Sequence, residues 1–433
     1  MAGEVRTERL SCGILLVSEV MPYVRSAALG FWVGTGSRDE PVELGGASHF
    51  LEHLLFKGTE QRSAAAIAES LDEVGGDCNA YTAKEYTHFH VRLLAGDLPL
   101  GLDILSDIMC RPALTETDVA AERRVIFDEI LMHADEPSDQ SVEQWNAALF
   151  PGHGLGRDTL GSTSSVEAIT CDDIRQFFDE HYRPGNIVVS VAGDCSHEAV
   201  SEALEARFEN WSGGHPPQRT APVDPPVPLV VQHRETEQVH VVIGSRSVSR
   251  FDEERWALSV LNHVLGGGLS SRLFQKVREE RSLAYSIWSE RTPFEETGSM
   301  CIMAGTAPEH LDEVLKISVG EIELLADKGV TSREMEVAKA NLRADALLSM
   351  EDSGARMSWI GSSLLLHHEV RTIDSILARI EEVSPDDVRR AAEHLAASPR
   401  TLSVVGPVAP AVDAARLGLS SASCEGSERD GAK

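Results

Sequence analysis

Apolar residues recur along this chain at two spacings, which predict two kinds of secondary structure. Residues 87–91 alternate polar and apolar side chains, as a half-buried strand does, and the runs 187–193 and 402–406 are rich in strand-forming residues. Residues 115–133 begin with a capping threonine, Thr115. Apolar residues then recur at helical intervals, namely Val119, Val125, Ile126, Ile130 and Leu131. Strands therefore alternate with long amphipathic helices, which predicts an α+β fold.

The second half of the chain repeats the pattern of the first half, which indicates a duplication. Thr115 and Thr331 each open a long predicted helix. Thr170 and Ser384 each precede acidic residues in a helical first turn, and each of these helices leads into a β-rich run. We therefore predict two homologous halves.

Four segments follow from this duplication. The first half spans 1–212, a proline-rich linker spans 213–228, and the homologous second half spans 229–419. Residues 420–433 are rich in serine, glycine and charge, and we predict that they are disordered. Because a proline-rich connector is extended and semi-rigid, the two halves are predicted to enclose a cleft as a hinged pair.

Candidate chemistry is concentrated in residues 49–53, which read His-Phe-Leu-Glu-His. On a helix, His49, Glu52 and His53 share one face. The opposite face is apolar and carries Phe50, Leu51, Leu54 and Leu55. Two neutral imidazoles at this spacing can bind Zn²⁺, and the carboxylate can accept a proton from water. This order reverses the commoner zinc-peptidase motif. Surface or core-edge histidines also occur at this spacing, so a third ligand has to decide.

The predicted helix over 115–133 offers candidates for that ligand. Glu122 and Glu129 lie seven residues apart, so they project from the same face with Ile126 between them. Carboxylates in such a stripe need partners if the helix buries it. The alternative is a solvated acidic face, an interpretation that suits Asp135 and Glu136 better than Glu129.

These residues resemble the insulinase/pitrilysin metallopeptidases (M16 type), and most of all the bacterial relatives of the mitochondrial processing peptidase. The motif His49-x-x-Glu52-His53 is followed by Glu129 at the family's spacing, 76 positions after His53 (129 − 53). The resemblance covers nearly the whole chain. It also includes the segments at 58–59, 79–82, 160–161 and 181–186.

This resemblance implies a fold and a set of roles. Each half would be an antiparallel-rich sheet with helices on one side, and 1–212 would be the catalytic, zinc-binding half. His49, His53 and Glu129 would bind Zn²⁺, and Glu52 would be the general base. The remaining implied roles in this half are orientation of a ligand imidazole by Glu122 and contact with bound peptide by Asn79 and Ala80.

In the second half, the resemblance gives Arg278 and Tyr285 a catalytic role across the cleft from the metal. A guanidinium and a phenol suit stabilisation of the oxyanion that forms at a peptide carbonyl. From the residues alone, Arg278 would be part of a solvated helix face and Tyr285 a half-buried packing residue.

The second half lacks most of the metal-binding motif. At an offset of 210 residues, His53 aligns with His263, but Glu52 aligns with Asn262 and His49 aligns with Ser259. The second half is therefore predicted to be non-catalytic and to provide a facing wall.

Composition and charge limit which binding partners and which cellular compartment we expect for this chain. The net charge of −30 disfavours nucleic acid and anionic membranes, which attract proteins with excess Lys and Arg. No apolar run is long enough to span a bilayer. The first residues lack the layout of a secretory signal or transit peptide, and the seven cysteines include no Cys-x-x-Cys pair. We therefore predict reduced thiols and a cytoplasmic protein, bacterial in origin.

The predicted function is that of a zinc metalloendopeptidase that hydrolyses unfolded peptides or presequence-like segments, with Glu52 activating a zinc-bound water. A homodimer is predicted from family members of this length. Two alternatives stay open at this point. One is a processing subunit that needs a partner chain, and the other is a non-catalytic structural homologue.

Overall fold

A computed structural model describes residues 4–407, so the tail predicted over 420–433 lies outside the described residues. Within residues 4–407 the strands are β1 (Val5–Arg9), β2 (Leu15–Val20), β3 (Ser26–Val33), β4 (Asp77–Thr82), β5 (Thr87–Leu94), β6 (Ile187–Gly193), β7 (Leu229–His233), β8 (Val239–Ser247), β9 (Ala284–Pro293), β10 (Gly298–Thr306) and β11 (Arg400–Gly406). The α-helices are α1 (Ala47–Leu55), α2 (Ala64–Glu73), α3 (Leu98–Cys110), α4 (Glu116–Asp135), α5 (Pro137–Leu149), α6 (Thr163–Ala168), α7 (Cys171–His181), α8 (His197–Phe208), α9 (Arg255–Gly266), α10 (Leu311–Lys328), α11 (Ser332–Leu348), α12 (Ser353–His367), α13 (Ile373–Glu382) and α14 (Pro385–Ala397).

The first sheet has the strand order β1-β2-β6-β3-β5-β4. Its neighbouring strands are antiparallel except for β2 and β6, which are parallel. The predicted strand over 187–193 is β6, and every residue in it is buried because it lies inside the sheet. At the edge of the sheet, β4 pairs with β5 on one side and with no strand of residues 4–407 on the other.

The second sheet has five strands in the order β7-β11-β8-β10-β9, which repeats the order β2-β6-β3-β5-β4 of the first sheet; β1 has no counterpart among residues 4–407. Its one parallel pair, β7 with β11, occupies the position that β2 with β6 occupies in the first sheet. Thr170 and Ser384, aligned from the sequence, both cap their helices through a reciprocal hydrogen bond with an aspartate three residues later. The predicted α+β class and the two homologous halves are confirmed.

Apolar side chains leave the first sheet on both faces. Leu29 and Phe31 of β3 enter a core shared with α1 and α3, whereas Trp32 packs with Met357 and Ile360 of α12 on the opposite face. The resemblance implied helices on one side only. The second helical layer is needed because buried residues alternate across both faces of β3.

Two compact units can be distinguished, and neither is continuous in sequence. The first comprises 1–135, 153–220 and 340–381, and the second comprises 136–152, 221–339 and the chain from 382 onward. Within the first unit, α12 packs on β2, β3 and β6; within the second, α5 packs on β7, β8 and β11. Each half of the sequence thus contributes one helix to the sheet of the other half, α5 from the first and α12 from the second. A division of the chain at the linker does not describe this exchange.

The proline-rich linker predicted over 213–228 forms neither helix nor strand, although all of its residues are described. Within the first unit, the Arg219 guanidinium donates to the Asp39 carboxylate at 2.8 Å and to the Glu85 carbonyl at 2.6 Å. Within the second unit, the Arg246 guanidinium donates to the carbonyl oxygen of Asp224 at 2.7 Å. Hydrogen bonds from arginines therefore hold both parts of this segment.

None of the helices described between residues 4 and 407 is both long and apolar enough to cross a membrane. The cysteines in this part of the chain form no disulfide with one another; they are Cys12, Cys78, Cys110, Cys171, Cys195 and Cys301. Cys424 lies outside the described residues.

Candidate active site

The His-x-x-Glu-His segment forms α1, and the apolar side of this helix is buried as predicted. Phe50, Leu51, Leu54 and Leu55 are each at most 1% exposed. The helix contacts α4 and β4. Burial of one apolar face therefore holds α1 against the core of the first unit and fixes the direction of its polar face.

A buried carboxylate anchors the start of α1. The two Glu40 oxygens accept hydrogen bonds from the backbone amides of Gly46, at 2.8 Å, and Ser48, at 2.7 Å. These amides belong to the first turn of the helix, where backbone donors lack partners within the helix itself. Gly46 has a φ of +95°, and a Cβ there would lie 2.6 Å from the carbonyl oxygen of Leu160. The backbone is therefore closely packed where the helix begins.

The predicted helix over 115–133 is α4, but part of its predicted apolar face is wrong. Glu122 and Ile126 are buried, whereas Val125 and Leu131 are 47% and 62% exposed. The reason is geometric: at about 100° per residue, those two positions lie about 100° and 140° away from Ile126 around the helix. The inward stripe does include Glu122, Ile126 and Glu129, as their spacing predicted.

Glu129 lies beside both histidines of α1. Its Oε2 atom is 3.6 Å from Nε2 of His49 and 3.7 Å from Nε2 of His53. One potential ligand atom from each of the three residues lies within 4.8 Å of the other two. Ligand atoms about 2.1 Å from a tetrahedral zinc ion are about 3.4 Å apart, so both N···O distances suit binding of a common cation.

The two imidazoles differ in their surroundings. His49 is only 8% exposed, and burial lowers its pKa to about 3, with smaller contributions from His53 and His133. Its ring is therefore neutral near pH 7, which is the state that binds a metal. The Nδ1 atom of His49 is buried without a hydrogen-bond partner among residues 4–407. By contrast, Nδ1 of His53 lies 3.2 Å from a carboxylate oxygen of Glu122.

Glu122 links His53 to the ammonium group of Lys57. It is buried, and its second oxygen lies 2.7 Å from the ammonium nitrogen of Lys57. A buried carboxylate needs a charged partner or hydrogen bonds, and here it has both. The arrangement suits the role that the resemblance implied for Glu122, which is to orient the imidazole of His53 through its second nitrogen.

Glu52 faces the edge strand β4. The Thr82 hydroxyl donates a hydrogen bond to Oε2 of Glu52 at 2.6 Å. Burial raises the pKa of the Glu52 carboxyl, and the Thr82 hydroxyl opposes that rise by stabilising the ionised form. Asn79 and Ala80 lie on the same strand, where they pair with His90 and Phe89 of β5.

Arg278 and Tyr285 belong to the second unit. The Arg278 guanidinium lies over the Tyr285 ring at 4.5 Å from its centroid and over the Phe274 ring at 4.8 Å. Tyr285 is 78% exposed at the start of β9, so it is not the half-buried packing residue that its apolar setting favoured. Its catalytic role and that of Arg278 stay predictions.

Three residues that the sequence did not single out complete this site. Lys57 follows His53 by one helical turn, which is a signal that could have identified it. Thr82 ends the segment that resembled a family strand, but its contact with α1 depends on the fold. Glu40 precedes α1 by seven residues, and no motif in the sequence indicated that it caps the helix.

Comparison with known proteins places the chain in a family. Residues 15–163 match the family model described as Insulinase (Peptidase family M16), and residues 168–342 match the one described as Peptidase M16 inactive domain. An uncharacterized zinc protease of Streptomyces coelicolor is 42% identical over 416 residues, which are 94% of this chain and 90% of that protein. The chain belongs to the insulinase family, M16.

A further relative and two solved structures are also similar to this M16 chain, the structures in fold alone. The uncharacterized zinc protease YmxG of Bacillus subtilis is 35% identical over 406 residues, which cover 92% of this chain and 98% of that protein. A peptidase M16 inactive domain from Pseudomonas fluorescens matches the fold with a TM-score of 0.87 at 19% identity, over 94% of this chain and 98% of that one. A protease from Helicobacter pylori matches with a TM-score of 0.86 at 22% identity, over 93% and 99%.

Proposed function

We propose that this M16 chain is a zinc metalloendopeptidase. The observation that carries the proposal is the convergence of His49, His53 and Glu129 from two helices, with Glu52 on the same helix as the histidines. Two neutral imidazoles and one carboxylate form the ligand set of a catalytic zinc site, and Glu52 is the neighbouring base. A bound zinc ion would supply Lewis acidity toward water and toward the substrate carbonyl.

Glu52 would act as the general base and then as the general acid. Its carboxylate accepts a proton from the attacking water and later donates that proton to the departing amine. Burial favours the protonated form of Glu52, which assists the second step, whereas the Thr82 hydroxyl favours the carboxylate needed for the first. Arg278 and Tyr285 are proposed to stabilise the developing oxyanion.

The proposed substrate is an extended peptide that binds along β4. Because β4 is an edge strand, its outer amides and carbonyls are available to a peptide that adds as a further strand at Asn79 and Ala80. Only an unfolded chain can present its backbone in this way. The site therefore selects unfolded peptides or presequence-like segments over folded proteins.

A non-catalytic role is the competing function. In its favour, residues 168–342 match a family model described as inactive. Against it, all four residues of the proposed zinc and base set lie in the segment 15–163, which matches the other model. A related alternative is a processing subunit that cleaves only beside a different chain, in place of the homodimer that we propose.

The deciding experiment uses the full chain, purified alone and loaded with zinc. We expect hydrolysis of unstructured fluorogenic peptides and, by light scattering, the mass of a dimer. Glu52→Gln should abolish turnover. Its zinc content should stay at about one ion per chain, because Glu52 is not a ligand. A zinc-loaded chain that cleaves no peptide would refute self-sufficient catalysis, and loss of zinc in Glu52→Gln would refute the role assigned to Glu52.

A further inference from the structure

One hydrogen bond connects the edge strand β4 to the proposed general base. The Thr82 hydroxyl donates to Oε2 of Glu52 at 2.6 Å. Among residues 4–407, Thr82 is the residue whose side chain donates a hydrogen bond to Glu52. The hydroxyl thus fixes one carboxylate oxygen of the proposed base.

The packing of β4 determines which of its residues faces α1. Side chains alternate along the strand, so Cys78, Ala80 and Thr82 point to one face. Cys78 and Ala80 pack partly buried against the core of the first unit, whereas Asn79 and Tyr81 are exposed on the other face. A shift of one residue in the pairing of β4 with β5 would turn Thr82 away from Glu52.

A general base must be oriented as well as close to its proton. A glutamate side chain has several rotatable bonds, so a free carboxylate would spend much of its time away from the attacking water. A bond from a strand residue, whose backbone is fixed by its partner β5, removes that freedom. Thr82 therefore acts on the reaction through Glu52 and needs no contact with the substrate.

The same strand carries the proposed peptide-binding residues. Ala80 is two residues from Thr82, and the outer edge of β4 is where a peptide would add. A peptide hydrogen-bonded to β4 makes the strand an interior one and so orders the residue that holds the base. We propose that Thr82 is a positioning residue for Glu52 and that β4 couples peptide docking to orientation of the base. This inference rests on the proposed function.

The test compares Thr82→Val, which keeps the side-chain shape, with Thr82→Ser, which keeps the hydroxyl. Because a hydrogen bond to a charged group is lost, kcat of Thr82→Val should fall about tenfold to a hundredfold. KM and zinc content should stay within about twofold of the wild-type values, because neither docking nor metal ligands change. Thr82→Ser should recover kcat to within about threefold of wild type.

Binding provides a readout that does not depend on turnover. The Glu52→Gln variant should still bind a fluorescent peptide, and adding Thr82→Val to it should leave the peptide Kd unchanged within about twofold. A much weaker Kd would mean that Thr82 supports docking and would overturn the inference. If Thr82→Val does not fold, Thr82→Ala against Thr82→Ser gives the same comparison.

Two results in the kinetic assay would also overturn the inference. One is a Thr82→Val enzyme as fast as wild type, and the other is a Thr82→Ser enzyme as slow as Thr82→Val. In both cases an active wild type leaves the peptidase function standing. A wild-type chain that binds zinc but cleaves nothing would refute the proposed function, and this inference with it.

Discussion

The ammonium nitrogen of Lys57 lies 2.7 Å from one oxygen of Glu122, whose other oxygen lies 3.2 Å from Nδ1 of His53. The three side chains form a line from solvent to the proposed zinc site. Lys57 is partly exposed and Glu122 is buried. The Lys57 ammonium therefore balances the Glu122 carboxylate, which would otherwise be costly to bury. The same carboxylate fixes the orientation of the His53 imidazole.

Glu122→Gln should weaken zinc binding about tenfold to a hundredfold, since an amide is a poorer partner for the imidazole than a carboxylate. Lys57→Met should act in the same direction but less strongly, because solvent screens a partly exposed ammonium. Competition with a chromophoric chelator measures both affinities. Lys328→Met, which removes a largely exposed ammonium from the second unit, is the matched control. Equal affinity in wild type and Glu122→Gln would contradict this role.

We expect wild type to hold about one zinc ion per chain. Glu129→Gln should hold much less, because a carboxylate ligand is lost. Asp128→Asn removes the same charge from the adjacent, exposed position of α4 and should keep the metal. Metal analysis after extensive dialysis makes the comparison. Unchanged zinc in Glu129→Gln would rule out this residue as the third ligand.

The buried carboxyl of Glu40 should make stability depend on pH. Burial raises its pKa from the ordinary 4.5 to about 7, despite the amides of Ser48 and Gly46 that favour the ionised form. Between pH 4.5 and 7 the unfolded chain loses this proton while the folded chain keeps it. The free energy of unfolding should therefore fall with rising pH in this window, by up to about 1.4 kcal/mol per pH unit from this group.

Glu40→Gln isolates that contribution, since an amide does not titrate. Urea denaturation at several pH values should show a steeper decline for wild type than for Glu40→Gln between pH 5 and about 7, and parallel behaviour above about 8. Parallel curves throughout would show that Glu40 ionises normally in the folded protein. Zinc should be removed from both proteins, because metal binding carries its own pH dependence.

Gly46→Ala should destabilise the protein and disturb α1. The residue has a φ of +95°, and the added Cβ would meet the Leu160 carbonyl oxygen at 2.6 Å. Gly75→Ala is the control, because Gly75 has a φ of +63° and open space where its Cβ would lie. The control should lose about 1–2 kcal/mol from backbone strain alone. Gly46→Ala should lose more in denaturant unfolding, and it alone should weaken zinc binding.

Much of the fold could be predicted because local patterns dictate it. The alternation in residues 87–91 and the buried run 187–193 became β5 and β6, and the paired caps at Thr170 and Ser384 indicated the duplication. The exchange of α5 and α12 was not predicted. Which sheet a helix covers depends on contacts distant in sequence, and hydrophobic period alone does not encode them.

The residues of the proposed site also differ in whether the sequence could identify them. His49 and His53 could be identified because spacing along a helix fixes which side chains share a face. Glu129 shares the inward face of α4 by the same rule, but its role as third ligand was implied by the family resemblance. Thr82 and Glu40 could not, because each reaches α1 through a tertiary contact and neither belongs to a spaced pattern. The exposed Val125 and Leu131 show the opposite error, in which apolar residues on a helix do not all point inward.

The helix exchange has a consequence for the chain as it leaves the ribosome. The first sheet can pair all its strands once β6 has emerged, yet the face that carries Trp32 is covered by α12, roughly 170 residues later. At typical elongation rates this delay lasts about 10 to 35 s. During that time an apolar sheet surface is open to solvent and to other nascent chains. Biosynthesis of this protein should accordingly depend on chaperones that shield such a surface until translation is nearly finished.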